Sequence, residues 1–174
     1  KTKMISERIL KSYENDITVH CIRLATVCGY SPRMRLDVSV NMFTFQALKF
    51  KSMTVFGGNQ VRPNIHIQDL VNVYKHFILN SKLPGGFYNA GFENLKIIDI
   101  AKKIAKVIPS KIIIKKNIDP RSYRQNSDKL LLTGFKKKFS VFDAIDELKE
   151  KYENKKIIES NRCYTVKWMK KLKL

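Results

Sequence analysis

The chain has 174 residues, 44% of them apolar, so it can bury the core of about one domain and is not expected to be disordered. Its net charge of +19 invites a nucleic-acid partner, yet it has no arginine-rich arm and no basic run interleaved with aromatics. No apolar run approaches the roughly 18 residues of a membrane span, and we expect no signal peptide.

The first part of the chain alternates helical and strand patterns. Residues 3–13 have apolar side chains at helical spacing, and the β-branched run from Ile17 to Leu24 predicts a buried strand. The stretch from Gly29 to Pro32 predicts a loop. A second helix is predicted from four apolar residues at helical spacing, Val40, Phe43, Ala47 and Leu48.

Short strands are predicted next, at Met53–Phe56 and at Asn64–Ile67. Asp69 is a candidate N-cap for the helix that follows. A Gly85-Gly86 turn leads into a third short strand over residues 87–89. Tyr88 and Asn89 in this strand are interpreted as structural residues.

The last part predicts a helix over residues 97–108, a strand over 111–116 and a helix beyond Ser140. Ser127 and Ser140 are candidate N-caps, and Asp143 stands where a capping box requires an acceptor. After residue 154 the pattern weakens into a lysine-rich tail.

These elements predict an α/β fold. The apolar strand ITVHCIRL is typical of the middle of a parallel sheet covered on both faces. One such strand and a few short ones do not complete a doubly wound sheet. We therefore expect the chain to be the second half of a larger fold.

Charge and cysteine usage bear on partners and location. Residues 1–95 carry a net charge of +6 and residues 96–174 carry +13, mostly as single lysines on the polar faces of apolar segments. Cys21, Cys28 and Cys163 form no Cys-x-x-Cys pair, which disfavours a zinc site or disulfide framework and favours a cytoplasmic location.

Five stretches in order carry a resemblance: TKMISE, IRLATVCGYSPRMRLD, TVFGGNQVRPNIHIQDL, GGFYNAG and DPRSYRQNSDKL with a later TGF. Over roughly residues 1–150 they resemble extended short-chain dehydrogenase/reductases, the NAD-dependent nucleotide-sugar epimerases and dehydratases. The resemblance implies the C-terminal part of a Rossmann-type fold whose N-terminal half is missing. Residues 1–30 would end the dinucleotide-binding sheet, residues 31–154 would form the nucleotide-sugar lobe with some return to the main sheet, and residues 155–174 a basic C-terminal tail.

Lys3 matches the lysine of the family's Tyr-x-x-x-Lys motif. In that role it lowers the pKa of the tyrosine and hydrogen-bonds the nicotinamide ribose of NAD or NADP. The alternative is an ordinary surface lysine. The partner tyrosine would lie two residues before Lys1, and the sequence contains no Gly-x-x-Gly-x-x-Gly loop for the cofactor's pyrophosphate.

Arg62 and Arg121 match the family's diphosphate clamp. A guanidinium forms bidentate, charge-assisted bonds to phosphate oxygens, so two arginines from separate loops can grip one diphosphate. Arg33, Arg35 and Arg124 are weaker candidates, because loop arginines are often only solvated.

Other positions carry two interpretations each. Thr26 stands where relatives often have an asparagine facing the sugar, and Asn41 either faces the nucleotide or lies on a helix surface. Val55 and Phe56 fit a strand that contacts the base, although such a pair is more often core. Structural roles, a strand histidine and a helix cap, are expected for His66 and Asp69.

The resemblance implies an oxidoreductase or isomerase that oxidises a sugar hydroxyl of a nucleotide-diphosphate sugar. This chain would supply Lys3 and the substrate lobe, so we expect it to be inactive alone, and to pair with a separate N-terminal half or with a second copy. The alternatives are a basic nucleic-acid- or anion-binding module and a non-catalytic interaction scaffold. No metal site is expected.

Overall fold

The structure, a computed structural model, describes residues 1–116 and 121–172. Asp119 and Pro120 of the fifth motif and residues 173–174 of the predicted tail lie outside the described residues.

Helices and strands alternate along the described chain. The helices are α1 (Thr2–Ser12), α2 (Ser39–Phe50), α3 (Ile67–Leu79), α4 (Ile97–Val107), α5 (Asp128–Leu131), α6 (Val141–Glu153) and α7 (Thr165–Lys171), with a 3₁₀ turn at Asn161–Cys163. The strands are β1 (His20–Leu24), β2 (Thr26–Cys28), β3 (Ser52–Phe56), β4 (Val61–His66), β5 (Gly86–Ala90), β6 (Glu93–Lys96) and β7 (Lys111–Lys115).

The described strands form three small sheets. β1 and β5 are parallel, with Leu24 opposite Ala90. β4 lies between β2, to which it is parallel, and β6, to which it is antiparallel. β3 and β7 form a parallel pair. This pairing returns residues 86–90 to the sheet that begins at β1.

The core lies mainly between α2, α4, α6 and β3. The helical stripes predicted for α2 and α4 are confirmed, because their apolar faces are buried. One face of β3 and one face of α6 are buried against them. The buried residues of these four elements include Val40, Phe43, Ala47, Leu48, Val55, Ile100, Ile104, Ala144 and Ile145. A second cluster packs α3 against β5 around Val73, Phe77 and Tyr88. A third joins Met34 and Leu36 to Leu148 and Cys163.

The prediction of a buried strand from Ile17 to Leu24 is wrong in extent and in burial. The strand begins at His20, and Ile17 and Leu24 are 56% and 43% exposed. The physical reason is that, within residues 1–116 and 121–172, β1 pairs only with β5 and the preceding α1 buries none of its residues.

Asp69 does not cap α3, and His66 does. The strand here ends at His66 rather than Ile67, and His66 Nδ1 accepts the Gln68 N–H at 3.1 Å. Asp69 is fully buried and accepts the N–H groups of Lys138 and Phe139, at 3.1 and 2.9 Å. Because Phe139 also stacks on His66 at 4.9 Å, these two side chains fix the chain entering α6.

The two predicted serine caps have different outcomes. Ser140 and Asp143 form the predicted capping box, and these hydrogen bonds lower the pKa of Asp143. Ser127 stands before α5 but makes no capping hydrogen bond, because its hydroxyl is bonded to Gly91 instead.

The sequence patterns also missed two features. β6 was not predicted, because ENLK has no alternating apolar pattern. The segment interpreted as a basic tail contains a 3₁₀ turn and α7, and it is attached to the domain by a hydrogen bond from Leu36 N–H to the Cys163 carbonyl at 2.8 Å.

The buried carboxylate yields a stability prediction. Asp69→Asn replaces an acceptor with an amide donor facing two N–H groups, so it should lower the unfolding free energy by about 2 kcal/mol. Urea denaturation measures this change. The control is Asp146→Asn, since Asp146 is exposed and its carboxylate makes no hydrogen bond with the described residues. Equal midpoints for the two variants would contradict the assigned role.

Candidate functional site

Residues 121–127 cross the carboxyl ends of β1 and β5. Gln125 Nε2 donates to the Arg23 carbonyl at 2.9 Å. Ser127 Oγ donates to the Gly91 carbonyl at 2.8 Å and accepts the Gly91 N–H at 3.0 Å. Ligands of open α/β sheets bind outside the carboxyl ends of parallel strands, so this crossing is where a site is expected.

Gly91 makes the crossing possible. A Cβ atom at this position would lie 2.3 Å from Gln125 Oε1 and 2.6 Å from the Ala25 Cβ. No side chain fits in that space, so the glycine that ends GGFYNAG allows the close approach of the two segments.

Arg62 and Arg121 meet at one edge of this crossing. Arg62 Nη1 donates to the Val61 carbonyl at 3.0 Å and to the carbonyl of Arg121. The Arg62 guanidinium lies 5.3 Å from the ring centre of Tyr123, within cation–π range. Val61 N–H also donates to Ser122 Oγ at 3.0 Å. The two predicted clamp residues therefore lie together, at the start of β4.

Thr26 lies on the same sheet as Arg62. It is opposite Asn64 in the parallel pair of β2 and β4, and Arg62 is two residues before Asn64. Side chains alternate along strands, so Thr26 and Arg62 share a face, with Cα atoms roughly 8 Å apart. We call Thr26, Arg62, Arg121 and Tyr123 the arginine surface.

A cleft of about 460 Å³ lies beside the crossing. It is bordered by Gly91, Asn94, Arg124 and Gln125, among others. Asn94 is joined to Gln125 by two hydrogen bonds, at 2.9 and 3.0 Å. Residues 121–127 therefore contribute to the arginine surface at one end and to this cleft at the other.

Lys3 is exposed on α1, and its ammonium makes no hydrogen bond or ion pair with the described residues. One turn later, Glu7 accepts two hydrogen bonds from Arg23, at 2.9 and 2.7 Å, and these hold the pKa of Glu7 below its usual value. This ion pair joins α1 to β1, whose Arg23 carbonyl also receives Gln125. The structure therefore connects Lys3 to the crossing only through its helix.

Asn41 is a buried structural residue. Its Oδ1 accepts the Gly29 N–H at 3.0 Å, and its Nδ2 donates to the carbonyls of Gly29 and Arg35, at 3.1 and 3.0 Å. With 2% of its surface exposed, Asn41 joins α2 to the loop that follows β2. It does not lie on the arginine surface.

The other predicted residues also lie elsewhere. Val55 is fully buried in the core, whereas Phe56 is about half exposed at the end of β3. Arg35 forms an ion pair with Asp37 at 2.8 Å. Arg33 borders a different cavity, together with residues of the C-terminal segment.

Sequence reasoning missed two residues that lie beside Arg62. Tyr123 lies two positions after Arg121 in the same motif, and that spacing could have indicated it. Asn64 donates to the carbonyls of Arg62 and Glu93, and its buried Oδ1 has no partner among the described residues. No sequence signal pointed to that acceptor, because it depends on the pairing of β4 with β6.

In the described part of the chain all three cysteines are free thiols, and burial raises the pKa of Cys28 to about 12. The described residues contain no group of three or more His, Cys, Asp and Glu side chains able to hold a metal ion. Among the described helices, none combines the length and the apolar character that crossing a bilayer requires.

Comparison with known proteins shows the family of this chain. The sequence profile of the NAD dependent epimerase/dehydratase family matches residues 1–91. The chain therefore belongs to the NAD dependent epimerase/dehydratase family.

Solved structures show the same fold. The ADP-L-glycero-D-manno-heptose-6-epimerase of Helicobacter pylori is similar with a TM-score of 0.75 at 18% identity, over 87% of this chain and 49% of that one. The dTDP-glucose 4,6-dehydratase of Bacillus anthracis, solved with NAD, gives 0.70 at 21% identity, over 87% and 49%. The UDP-glucose 4-epimerase of Thermotoga maritima, solved with UDP-glucose, gives 0.73 at 18% identity, over 89% and 53%.

The chain thus spans about half the length of the structures that it matches. The predicted α/β fold class, part of the Rossmann-type fold of this family, is confirmed. The coverage is consistent with a C-terminal portion of such an enzyme.

Proposed function

We propose that the arginine surface binds the diphosphate of a nucleotide-diphosphate sugar, as the substrate-binding part of an NAD(P)-dependent epimerase or dehydratase. The observation that carries this proposal is the contact between the Arg62 guanidinium and the Arg121 carbonyl. It brings two arginines from distant parts of the sequence to one point. A diphosphate carries two charged groups that such a pair can bind at the same time.

Two neighbouring features support the choice of a nucleotide sugar. Tyr123 offers an aromatic ring beside the Arg62 guanidinium. Thr26 offers a hydroxyl on the same face of the sheet, suited to a sugar hydroxyl. Family membership and the UDP-glucose bound to the Thermotoga maritima epimerase favour the same class of ligand.

For the chemistry, we assign Lys3 to the cofactor side of the site. An exposed ammonium with no partner among the described residues suits a hydrogen bond to a ribose hydroxyl, and a cation near a phenol favours the phenolate. NAD or NADP, when bound, supplies the hydride acceptor. Lys3 is the one residue of this chain that we assign to it, because the 174 residues contain no Gly-x-x-Gly-x-x-Gly loop.

The first test measures binding of UDP, dTDP, GDP and CDP by calorimetry. We expect saturable binding of at least one, weakened about tenfold or more by Arg62→Ala or Arg121→Ala, because each removes a charge-assisted contact. Arg62→Lys retains the charge and tests the need for a planar fork.

The matched control is Arg8→Ala, an exposed arginine on α1. An equal loss in this variant would indicate a non-specific charge effect and contradict the proposal. The alternative of a basic nucleic-acid module predicts instead tight RNA or DNA binding that falls steeply with salt concentration. Such RNA or DNA binding, together with no saturable binding of a nucleoside diphosphate, would contradict the present proposal and support the nucleic-acid module.

We further propose that the 174-residue polypeptide does not turn over substrate alone, because it supplies neither the tyrosine base nor the pyrophosphate-binding loop. The measurement is product analysis after incubation with NAD or NADP and UDP-, dTDP-, GDP- and CDP-sugars. We expect no epimerised, dehydrated or reduced sugar. Any such product that is absent from a control with boiled polypeptide would contradict the proposal that the polypeptide is inactive alone.

We also propose that α1 packs against another polypeptide, either an N-terminal half or a second copy of the chain. Its exposed apolar side chains, continuing to Ile17, are Met4, Ile5, Ile9, Leu10 and Tyr13. Exposed apolar faces of this kind drive association. Light scattering should detect oligomers that Ile5→Glu and Ile9→Glu dissociate, and a monodisperse unsubstituted monomer would contradict the proposal.

A further inference from the structure

A second arginine-bearing cavity lies away from the crossing at residues 121–127. A groove of about 450 Å³ runs between the loop after β2 and the C-terminal segment. Arg33 and Met34 line one wall, and Ser160, Arg162 and Trp168 line the other. Arg62 and Arg121 of the arginine surface do not border it.

The two walls of this groove are joined by hydrogen bonds. Leu36 N–H donates to the Cys163 carbonyl at 2.8 Å, and Thr165 N–H donates to Asp37 Oδ2 at 2.9 Å. Met34, Leu36 and Cys163 also pack in one core cluster. The width of the groove is therefore set by the fold.

The groove carries uncompensated positive charge. Of the carboxylates beside it, Asp37 is held by Arg35 and by the Thr165 N–H, and Glu159 by Lys49 at 2.5 Å and by the Tyr164 hydroxyl at 2.6 Å. Neither guanidinium of the groove forms an ion pair with a carboxylate of the described residues. An anion would therefore be attracted to it.

The same groove offers a flat aromatic surface. The Arg162 guanidinium lies 5.2 Å from the ring centre of Trp168, so a planar cation and an indole stand together. Pro32 and Met34 supply apolar contacts opposite them. This combination suits a ligand with a planar ring at one end and an anionic group at the other.

We propose that this groove binds a nucleoside monophosphate, with the base against Trp168 and the phosphate between Arg33 and Arg162. Its volume lies in the lower part of the range for small-molecule sites and suits one nucleotide. A nucleic-acid strand would need a continuous cationic track with several aromatic platforms. The site is separate from the arginine surface and goes beyond the function proposed above.

The single tryptophan of the chain makes the test direct, because Trp168 lies in the groove. Its fluorescence, excited at the red edge where nucleotides do not absorb, is titrated with AMP and UMP, with the nucleosides adenosine and uridine, and with inorganic phosphate. We expect saturable quenching by a nucleotide, at least about tenfold tighter than by the matching nucleoside or by phosphate.

Variants assign the binding to the two arginines. Arg33→Ala and Arg162→Lys should each weaken nucleotide binding about tenfold, the second because lysine lacks the planar fork. Arg8→Ala is the matched control and should leave the affinity unchanged. Arg62→Ala should also leave the quenching unchanged, which separates this groove from the arginine surface.

Three results would overturn the proposal. They are no saturable quenching at millimolar nucleotide, equal affinity for nucleotide and nucleoside, and single-stranded RNA binding far more tightly than a nucleotide. The titrations of the unsubstituted chain decide all three, so the outcome does not depend on whether a variant folds. An equal loss in Arg62→Ala and Arg162→Lys would instead assign the quenching to one shared site.

Discussion

The hydrogen bonds that hold residues 121–127 across the ends of β1 and β5 determine where the candidate site can be. Ser127 is bonded twice to Gly91, and Gln125 is bonded to the Arg23 carbonyl. These contacts place Arg121 and Tyr123 beside the start of β4, where Arg62 lies. Because Gly91 leaves no room for a Cβ atom, the closeness of the two segments depends on one backbone position.

The sequence predicted the elements better than it predicted the contacts of polar side chains. Apolar periodicity placed α2 and α4 correctly, since their stripes face the main core. His66 and Asp69 were both expected to be structural, but their roles differ from those expected. The cap is the histidine, and the carboxylate binds a loop some seventy residues away, at Lys138 and Phe139. A contact over such a separation leaves no local pattern in the sequence.

For the candidate site, the residues that the sequence indicated differ in where the structure places them. The family motifs indicated Arg62 and Arg121, and the structure brings them together. Asn41 could not be assigned from its spacing, because the fit of the loop after β2 onto α2 decides whether its amide is buried. The C-terminal segment was treated as a tail because lysines obscure its pattern. Its contacts with the rest of the domain include the burial of Cys163, the Glu159–Lys49 ion pair and the Thr165 N–H on Asp37.

The parallel pairing of β1 with β5 also constrains how the chain can fold. Residues 25–85, which include α2, β3, β4 and α3, intervene between two strands that end side by side. Bringing the two strands together across so long an intervening segment costs conformational entropy before any pairing energy is gained. Contacts between residues distant in sequence also slow folding. The main core is also built from contacts distant in sequence, because residues 51–96 lie between α2 and α4 and residues 51–140 lie between α2 and α6. Folding is therefore expected to be slow for a chain of this length, since both the strand pairing and the core join segments distant in sequence.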